Sequence, residues 1–488
     1  MSNSRRKIVI DPVTRIEGHG RVTVRLDDHG KVENARFHIV EFRGFERFVQ
    51  GHPYWEAPLL VQRLCGICPV SHHLAAAKAI DQIYGADPED LHPTATKIRR
   101  LLHYAQVFQS HALHFFYLAS PDLLFGLDAP VEKRSVNAVA LEYQDLARKG
   151  IQMRQFGQEL IKALAGKKIH GICAIPGGVH KTFYPDEREY FLAENDTPSI
   201  DTMIKWSREI VAFIRNYHDE HFNWLDSFAS FPSGHLGLVD DEGSLELYNG
   251  RMRAFDSDGQ ITLNDVHNDN YLKYFGEGVE KWSYMKFPFL RHLGRKEGWN
   301  RVGPLARLNV CDRISTPLAN EELNAFRLYT NGRPNNHTMH THWARLIEIL
   351  HCAELIKELL NDPAILAEVE RPSMNRRPEG IGIIEAPRGT LIHHYRADEK
   401  GSITKCNLIV STTHNNEAMN RAVQWVAQNV LDRQEEITDS MLNQVEVAIR
   451  AFDPCLSCAT HAMGKMPLQL TVYDSTGKIV AEHVKGST

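Results

Sequence analysis

Alternation of apolar and polar residues predicts a β-rich start to the chain. In KIVI, RVTVRLD and KVENARFHIV, between residues 7 and 40, the two kinds of residue broadly alternate, as is typical of strands with one buried face. The segment Asp27-Asp28-His29-Gly30 separates the second strand from the third and is predicted to be a hairpin turn.

After Pro53 the spacing of apolar residues becomes helical. The segment PVSHHLAAAKAIDQIYG predicts a helix that begins after Cys68 and ends at Gly85. Apolar residues three and four apart predict further helices at residues 94–119, 132–165, 199–229, 341–360 and 438–452. Short strands are predicted again between residues 380 and 415 and in the tail, in LQLTVYD and KIVAEHV. The pattern predicts an α+β fold that is predominantly helical, with long central helices and small peripheral β-sheets.

Composition excludes several classes of function. A net charge of -5 and no run of five like charges leave no basic field for nucleic acid. There is no stretch of 18 apolar residues to span a membrane, and MSNSRRKIVIDP lacks the apolar core of a signal peptide. Eight cysteines in 488 residues are too few for a disulfide scaffold, so we expect a cytoplasmic protein. Without repeats or low-complexity linkers, one interwoven unit is predicted.

Two Cys-x-x-Cys pairs lie near opposite ends of the chain, Cys65 with Cys68 and Cys455 with Cys458. Four thiolates form a soft ligand set that suits zinc or an iron–sulfur cluster. Closing so long a loop costs roughly 5 kcal/mol, whereas thiolate metal sites can contribute about 10 kcal/mol or more. One shared metal site is therefore a hypothesis. Structural zinc and two unrelated pairs stay as alternatives, although cysteine pairs at zinc sites are usually about 15–20 residues apart.

Five motifs around these cysteines occur in a known order. They are DPVTRIEGHG at 11–20, EFRGFE at 41–46, RLCGICPVSH at 63–72, EAPRG at 385–389 and DPCLSCATH at 453–461. Together they resemble the large subunit of nickel–iron hydrogenases, and the resemblance extends across essentially the whole chain. It implies the fold of that subunit and the reversible splitting of dihydrogen into protons and electrons.

The resemblance also implies a bimetallic site. Cys65 and Cys455 would be terminal ligands of nickel, and Cys68 and Cys458 would bridge nickel to iron. The iron in this family carries carbon monoxide and cyanide. Soft, strongly donating sulfurs suit a metal that changes oxidation state.

Further residues receive roles from the same resemblance. Glu17, in RIEGH, would be the carboxylate of the proton relay. Arg388, in EAPRG, would lie over the metals and donate hydrogen bonds to the diatomic ligands of iron, a task that suits a planar donor fork. Asp453 and Asp122 would surround and orient this arginine. The hydroxyl of Ser411 would donate to an iron-bound cyanide.

A second metal is implied beside this site. Glu46, His461 and the main-chain carbonyl of Leu408 fall where the family holds a magnesium ion. Because magnesium prefers oxygen ligands and waters, the residue types alone do not predict a histidine there.

The remaining cysteines are not clustered, and no dinucleotide-binding motif is present, so electrons are expected to leave through partners. The family pairs this subunit with a small subunit that carries iron–sulfur clusters. Residues 40–68 and 449–461 are most similar to the cytoplasmic, bidirectional NAD-reducing branch, in which a diaphorase module containing FMN completes the enzyme. The alternatives are NADP or deazaflavin as acceptor, a non-catalytic subunit of the complex I type, and a zinc-stapled structural protein.

The chain continues for 27 residues beyond His461, to Thr488. In the family, a maturation endopeptidase cuts after the matching histidine once nickel is loaded. The resemblance therefore implies a catalytic unit of residues 1–461 and a C-terminal extension, residues 462–488, that is removed on maturation.

Overall fold

Long helices form the middle of the molecule, as the apolar spacing predicts. The computed structural model describes residues 7–195, 197–371 and 375–461, together with the backbone of residues 468–473 and 479–485. In these parts, the helices of seven or more residues are Pro69–Tyr84, Pro93–Leu113, Val136–Glu142, Gln144–Ala165, Pro185–Leu192, Ile200–Ser227, Pro304–Val310, Pro317–Tyr329, Thr341–Asn361, Asn416–Val426 and Asp439–Arg450. Within the same parts, none of the helices combines the length and the apolar character needed to cross a bilayer.

The central helices pack closely around one apolar core. The Pro93–Leu113 helix lies between Gln144–Ala165 and Thr341–Asn361 and contacts both. A Cβ atom on Gly157 would lie 2.7 Å from Cβ of Gln109, so a glycine there permits the close approach of two helices. Most of the apolar side chains in these helices are buried in a single cluster, which confirms the helical stripes as core.

Three predicted helices differ from the structure. The predicted helix 199–229 is kinked at His221, whose backbone is not helical. The predicted helix 132–165 is broken at Tyr143, whose backbone is not helical, and Val136–Glu142 and Gln144–Ala165 are separate helices. The Tyr143 ring packs against Phe125 at 5.6 Å between centroids, a tertiary contact that periodicity does not reveal. The predicted helix 94–119 spans Pro93–Leu113 and then widens into a π-helical segment, His114–Ala119.

The strands form small sheets around the helices. The predicted strands form antiparallel sheets of Lys7–Ile10, Gly20–Leu26 and Val32–Ile39; of Glu379–Ala386, Gly389–Ala397 and Ile403–Ile409; and the tail hairpin Leu468–Tyr473 with Ile479–Lys485. The patterns did not predict the sheet of Asn300–Arg301, Gly234–Val239, Arg251–Phe255 and Ile261–Val266, or the hairpin Phe275–Glu280 with Ser283–Leu290. The segment that directly follows His461, residues 462–467, lies outside the described residues, as does the predicted cleavage there.

A close contact between a helix and a strand sets up the functional site. A Cβ atom on Gly380 would lie 1.9 Å from the carbonyl oxygen of Ala79, and one on Gly382 would lie 2.0 Å from that of Ala75. Only glycine therefore allows the Glu379–Ala386 strand to lie directly against the helix that follows Cys68. This contact brings the turn after the strand next to the first cysteine pair.

Candidate metal centre

Each cysteine pair lies at the start of a helical segment. Cys68 immediately precedes the Pro69–Tyr84 helix, and Cys455 immediately precedes the single turn Leu456–Ala459. Two main-chain amides at the start of the first helix donate hydrogen bonds to the Cys65 sulfur, at 3.2 and 3.3 Å. Such amides favour a thiolate. The position of the first pair is as predicted, whereas the second pair lies at a helical turn rather than in an open loop.

The fold brings all four predicted cysteine ligands together. Their Sγ atoms lie within 4.8 Å of one another, and all four side chains are buried. Cys65 lies 3.2 Å from Cys455 and Cys68 lies 3.6 Å from Cys458, and within the second pair Cys455 lies 2.8 Å from Cys458. Among the described residues this is the one group of three or more His, Cys, Asp or Glu side chains with metal-site geometry.

The four thiols cannot all ionise without a cation. Burial raises the pKa of Cys455 and of Cys458 well above the ordinary value. Burial acts in the same direction on Cys65, but hydrogen bonds from the other three thiols lower the pKa of Cys65 well below it. One thiolate is thus stabilised by three neighbouring thiols, and further negative charge at this spacing needs a bound metal.

Arg388 lies beside the sulfurs and is held by Asp453. Its Nε donates to the Asp453 carbonyl oxygen at 2.6 Å, and its Nη2 donates to Oδ1 at 3.0 Å. The remaining donor, Nη1, is buried without a partner among the described residues. Burial alone would lower the pKa of Arg388, but Asp453 and the cysteine sulfurs raise it well above its usual value. A permanent cation with one unused donor therefore faces the thiolates.

The turn that carries Arg388 is supported by a buried ion network that the sequence analysis missed. Arg307 donates to both carboxylate oxygens of Glu348 at 2.6 Å and to Glu385 at 2.8 Å. It also donates to the main-chain carbonyls of Ala386 and Pro387, at 2.9 and 3.1 Å. A lone arginine inside the apolar run PLARLNV is the signal that could have pointed to a buried pair.

Glu17 is hydrogen-bonded to the helical turn that carries the second cysteine pair, as the motif predicts. Its carbonyl accepts a hydrogen bond from the Leu456 amide at 3.0 Å, and its carboxylate accepts one from the Ser457 amide at 3.0 Å and a short one from the Ser457 hydroxyl. That hydroxyl lies 3.9 Å from Cys455 Sγ. A Cβ atom on Gly18 would lie 2.7 Å from Leu456 Cβ, so the approach requires glycine.

Asp122 is buried, but its contacts differ from those implied by the resemblance. Its Oδ1 accepts from Arg15 Nη2 at 2.5 Å, and its Oδ2 accepts from Arg450 Nη1. Both carboxylate oxygens are therefore occupied by other guanidinium groups, and Arg388 donates to Asp453 instead. Asp122 joins the segment before Glu17 to the helix that leads to the second cysteine pair.

A small cavity lies beside the four sulfurs. Its volume is about 10 Å³, and its lining includes Cys68, Cys455, Cys458, Arg388 and Ser411. The Ser411 hydroxyl is buried at this cavity but donates to the Gly389 carbonyl at 2.6 Å. The structure thus brings Ser411 to the expected place, with its proton engaged inside the protein.

Glu46, Leu408 and His461 also converge, at the other side of Cys458. The Leu408 amide donates to Glu46 Oε1 at 2.8 Å, and that oxygen lies 3.9 Å from His461 Nε2. His461 Nε2 is buried without a hydrogen-bond partner among the described residues. Burial lowers the pKa of His461 to about 4, so the ring is neutral. A neutral imidazole with a free nitrogen beside a carboxylate is suited to bind a cation.

His72, four residues after Cys68, contacts the second pair. Its Nε2 lies 3.2 Å from Cys458 Sγ, and its Nδ1 lies 3.1 Å from Nε2 of His393. The sequence analysis missed His393 and its neighbour on the same strand face, Tyr395. Polar residues two apart inside an otherwise buried strand are the signal that could have shown them.

Comparisons with known proteins agree with this arrangement. A family model described as "Nickel-dependent hydrogenase" matches residues 43–129 and 241–461, and one described as "HoxL-like" matches residues 7–42. The chain is 52% identical over 487 residues to the NAD-reducing hydrogenase HoxS subunit beta of Cupriavidus necator, with 98% of this chain and 100% of that protein covered. It is 41% identical over 478 residues to a component of the vhc F420-non-reducing hydrogenase of Methanococcus voltae, with 96% and 98% covered. A crystal structure of an NAD+-reducing NiFe hydrogenase in the H2-reduced state matches with a TM-score of 0.90 and 51% identity, over 94% of this chain and 100% of that chain.

Proposed function

The chain belongs to the nickel-dependent hydrogenase family as a large, catalytic subunit, and we propose that it splits dihydrogen reversibly, with NAD as the final electron acceptor. The observation that carries the proposal is the set of four buried sulfurs, contributed by opposite ends of the chain and lying within 4.8 Å of one another. The overall reaction converts H2 and NAD+ into NADH and one proton. NAD is favoured over NADP or a deazaflavin because the relative with 52% identity is named as NAD-reducing.

The four cysteines would hold nickel and iron. Cys65 and Cys455 would be terminal ligands and Cys68 and Cys458 bridging ligands, an assignment that follows from the order of the family motifs around the two pairs. The unused Nη1 of Arg388, at the edge of the cavity, is suited to donate to carbon monoxide or cyanide on iron. Nickel and iron bound there would supply the acceptor for the electron pair of dihydrogen. The protein residues orient the site, exclude water and take the proton.

Glu17 would take that proton, and Ser457 would hold the Glu17 carboxylate in position. The Ser457 hydroxyl contacts both the Glu17 carboxylate and the sulfur of Cys455, so it lies between a terminal ligand and the proposed base. General acid–base catalysis requires a group within hydrogen-bond reach, directly or through one intermediate. Glu17 is also partly exposed, which gives the proton a way to solvent.

A magnesium ion would bind beside the site, between Glu46, the carbonyl of Leu408 and His461. Burial raises the pKa of Glu46, although Lys286 and the Leu408 amide oppose this effect. A divalent cation would compensate the buried carboxylate and supply the missing partner of His461 Nε2. His461 would thereby be fixed to the strand Ile403–Ile409, which contains Leu408.

Electrons would leave through partner subunits. Beyond the four site cysteines, Cys173, Cys311, Cys352 and Cys406 are buried and separate within the described residues, so this part of the chain offers no ligands for an iron–sulfur cluster. We propose a small subunit with iron–sulfur clusters and a diaphorase with FMN as the route to NAD in the cytoplasm. We also propose that an endopeptidase removes residues 462–488 after nickel insertion, so that residues 1–461 form the working catalytic unit.

Metal analysis of the purified complex tests the metal assignment. We expect nickel and iron bound to this subunit in equal amounts. The matched variant Cys458→Ala should lose the bimetallic site, whereas Cys406→Ala, at another buried cysteine, should keep it. Zinc as the only metal in the wild-type subunit would refute the proposal in favour of a structural zinc site.

Glu17→Gln tests the proton route, because it keeps the shape of the side chain but removes its basicity. We expect hydrogen turnover and isotope exchange with water to be largely lost while nickel and iron stay bound. Ser457→Ala should weaken both activities, and the control Glu56→Gln, at a half-exposed residue that pairs with His52, should change neither. Normal exchange in Glu17→Gln would exclude this carboxylate as the main relay.

A further inference from the structure

A chain of three buried side chains leads away from the Cys458 sulfur. Nε2 of His72 lies 3.2 Å from that sulfur, and Nδ1 of His72 lies 3.1 Å from Nε2 of His393. Nδ1 of His393 lies 2.7 Å from the hydroxyl of Tyr395. These three side chains and Cys458 are each at most 1% exposed. The chain is therefore closed to solvent along its length.

The number of protons on the two imidazole rings decides which atom donates in each hydrogen bond of this series. Each ring nitrogen of His72 and His393 has one partner in this series, and a neutral imidazole carries one proton, so one nitrogen of each ring donates and the other accepts. A sulfur that ligates a metal is a thiolate and can only accept. His72 must then donate from Nε2 to Cys458, His393 must donate from Nε2 to His72, and Tyr395 must donate to Nδ1 of His393.

The hydroxyl of Tyr395 is the group that makes this direction stable. His393 and Tyr395 are two residues apart on the strand Gly389–Ala397, so both side chains point to the same face. Without the hydroxyl, Nδ1 of His393 would be a buried acceptor without a donor, at a cost of about 1–3 kcal/mol. Because hydrogen bonds in series polarise one another, loss of this terminal donor would also weaken the bond from His72 Nε2 to the thiolate.

We propose that His393 and Tyr395 are positioning residues that keep the proton of His72 directed at the sulfur of Cys458. The proposal rests on the proposed function only in that Cys458 is a metal ligand. A hydrogen bond to a ligating sulfur withdraws electron density from the metals, so this chain tunes the site from a distance. Both residues act through His72, and neither ring is required to change its charge.

The infrared bands of carbon monoxide and cyanide on iron test this proposal in Tyr395→Phe, which removes one hydroxyl and keeps the ring. A weaker hydrogen bond from His72 to the sulfur leaves more electron density on iron, so the bands should move to lower wavenumber, and turnover should fall by up to about 10-fold. The control is Tyr271→Phe, because the Tyr271 hydroxyl bonds Nδ1 of His394 at 2.8 Å, on the opposite face of the same strand. Its bands should coincide with those of the wild type.

A second variant separates the tautomer from packing. In His393→Gln combined with Tyr395→Phe, an amide nitrogen that always donates replaces the ring, so the bands should return toward the wild-type position. Unshifted bands in Tyr395→Phe with nickel and iron bound would overturn the inference, as would a double variant identical to Tyr395→Phe. Absence of nickel and iron from the wild type would instead refute the proposed function.

Discussion

Replacing Arg307 with methionine should destabilise the enzyme by an amount that depends on pH. The substitution keeps much of the side-chain volume but leaves the carboxylates of Glu348 and Glu385 buried without their cation. Breaking a buried ion pair by removing one partner costs about 3–5 kcal/mol. A chain of 488 residues has an unfolding entropy of roughly 1 kcal/mol/K by the usual scaling, so the apparent Tm should fall by about 3–5 °C at pH 7.

The pH dependence follows from the carboxyl groups that remain. Burial alone would raise the pKa of Glu348, but Arg307 and His111 lower it to about 2 in the wild type. Burial raises the pKa of Glu385 to about 7 even with Arg307 present. Without Arg307, the folded-state pKa of Glu348 rises above its unfolded value of about 4.3. A group of this kind stabilises the folded state below the unfolded pKa, and that stability is lost as the pH rises, by about 1.4 kcal/mol per unit.

The deficit of the variant should therefore shrink by up to about 3 kcal/mol between pH 7 and pH 5. Scanning calorimetry of the variant and the wild type at each pH measures it. The control is Arg313→Met, since Arg313 pairs with Glu242 on the surface and should cost less than about 1 kcal/mol at either pH. An equal deficit at pH 5 and pH 7 would refute the argument that an uncompensated buried carboxylate is the cause.

Two further predictions concern acid stability and the approach of the N-terminal segment. Burial lowers the pKa of His103, His235 and His414 to about 3. In the unfolded chain a histidine has a pKa of about 6.5, so below that pH the unfolded state binds more protons than the folded state. Each of these rings then lowers the free energy of unfolding by up to about 1.4 kcal/mol per pH unit. Calorimetry between pH 7.5 and 5 should show a steep fall in apparent Tm below pH 6.5, and a constant Tm would contradict this. Gly18→Ala should reduce hydrogen turnover, because its Cβ would overlap Leu456. Gly51→Ala has the same backbone cost in open space and should leave turnover unchanged; equal loss in both variants would show that strain, not contact, matters.

Elements with strong local signals were predictable from the sequence. The helix after Cys68 was found because its apolar residues repeat and Gly85 ends it in the left-handed conformation. The break at Tyr143 could not be found, because the residues around it include no proline or glycine. The sheet between residues 234 and 301 was missed in part because Gly234–Val239 is buried almost throughout, so its residues do not alternate.

Some contacts of the site residues were likewise predictable from the sequence, and others were not. The motifs placed Glu17 and Arg388 beside the cysteines, and the contacts with Ser457 and Asp453 agree with that placement. The partners of Asp122 could not be derived, since a carboxylate at a helix end gives no indication of which guanidinium it will meet. Residues that support the site from a distance leave no motif, because their role depends on long-range packing.

The separation of the two cysteine pairs also determines when, during synthesis, all four ligands become available. Cys455 follows Cys68 by 387 residues, so at ribosomal rates about 20–80 s pass between their appearance. During that interval the growing polypeptide can form the helix after Cys68, but it presents only two of the four sulfurs. Every product that terminates before Cys455 lacks the other two, together with the turn that contacts Glu17. Assembly of the centre is thereby restricted to chains that extend through the second cysteine pair, and shorter translation products cannot yield a partly active enzyme.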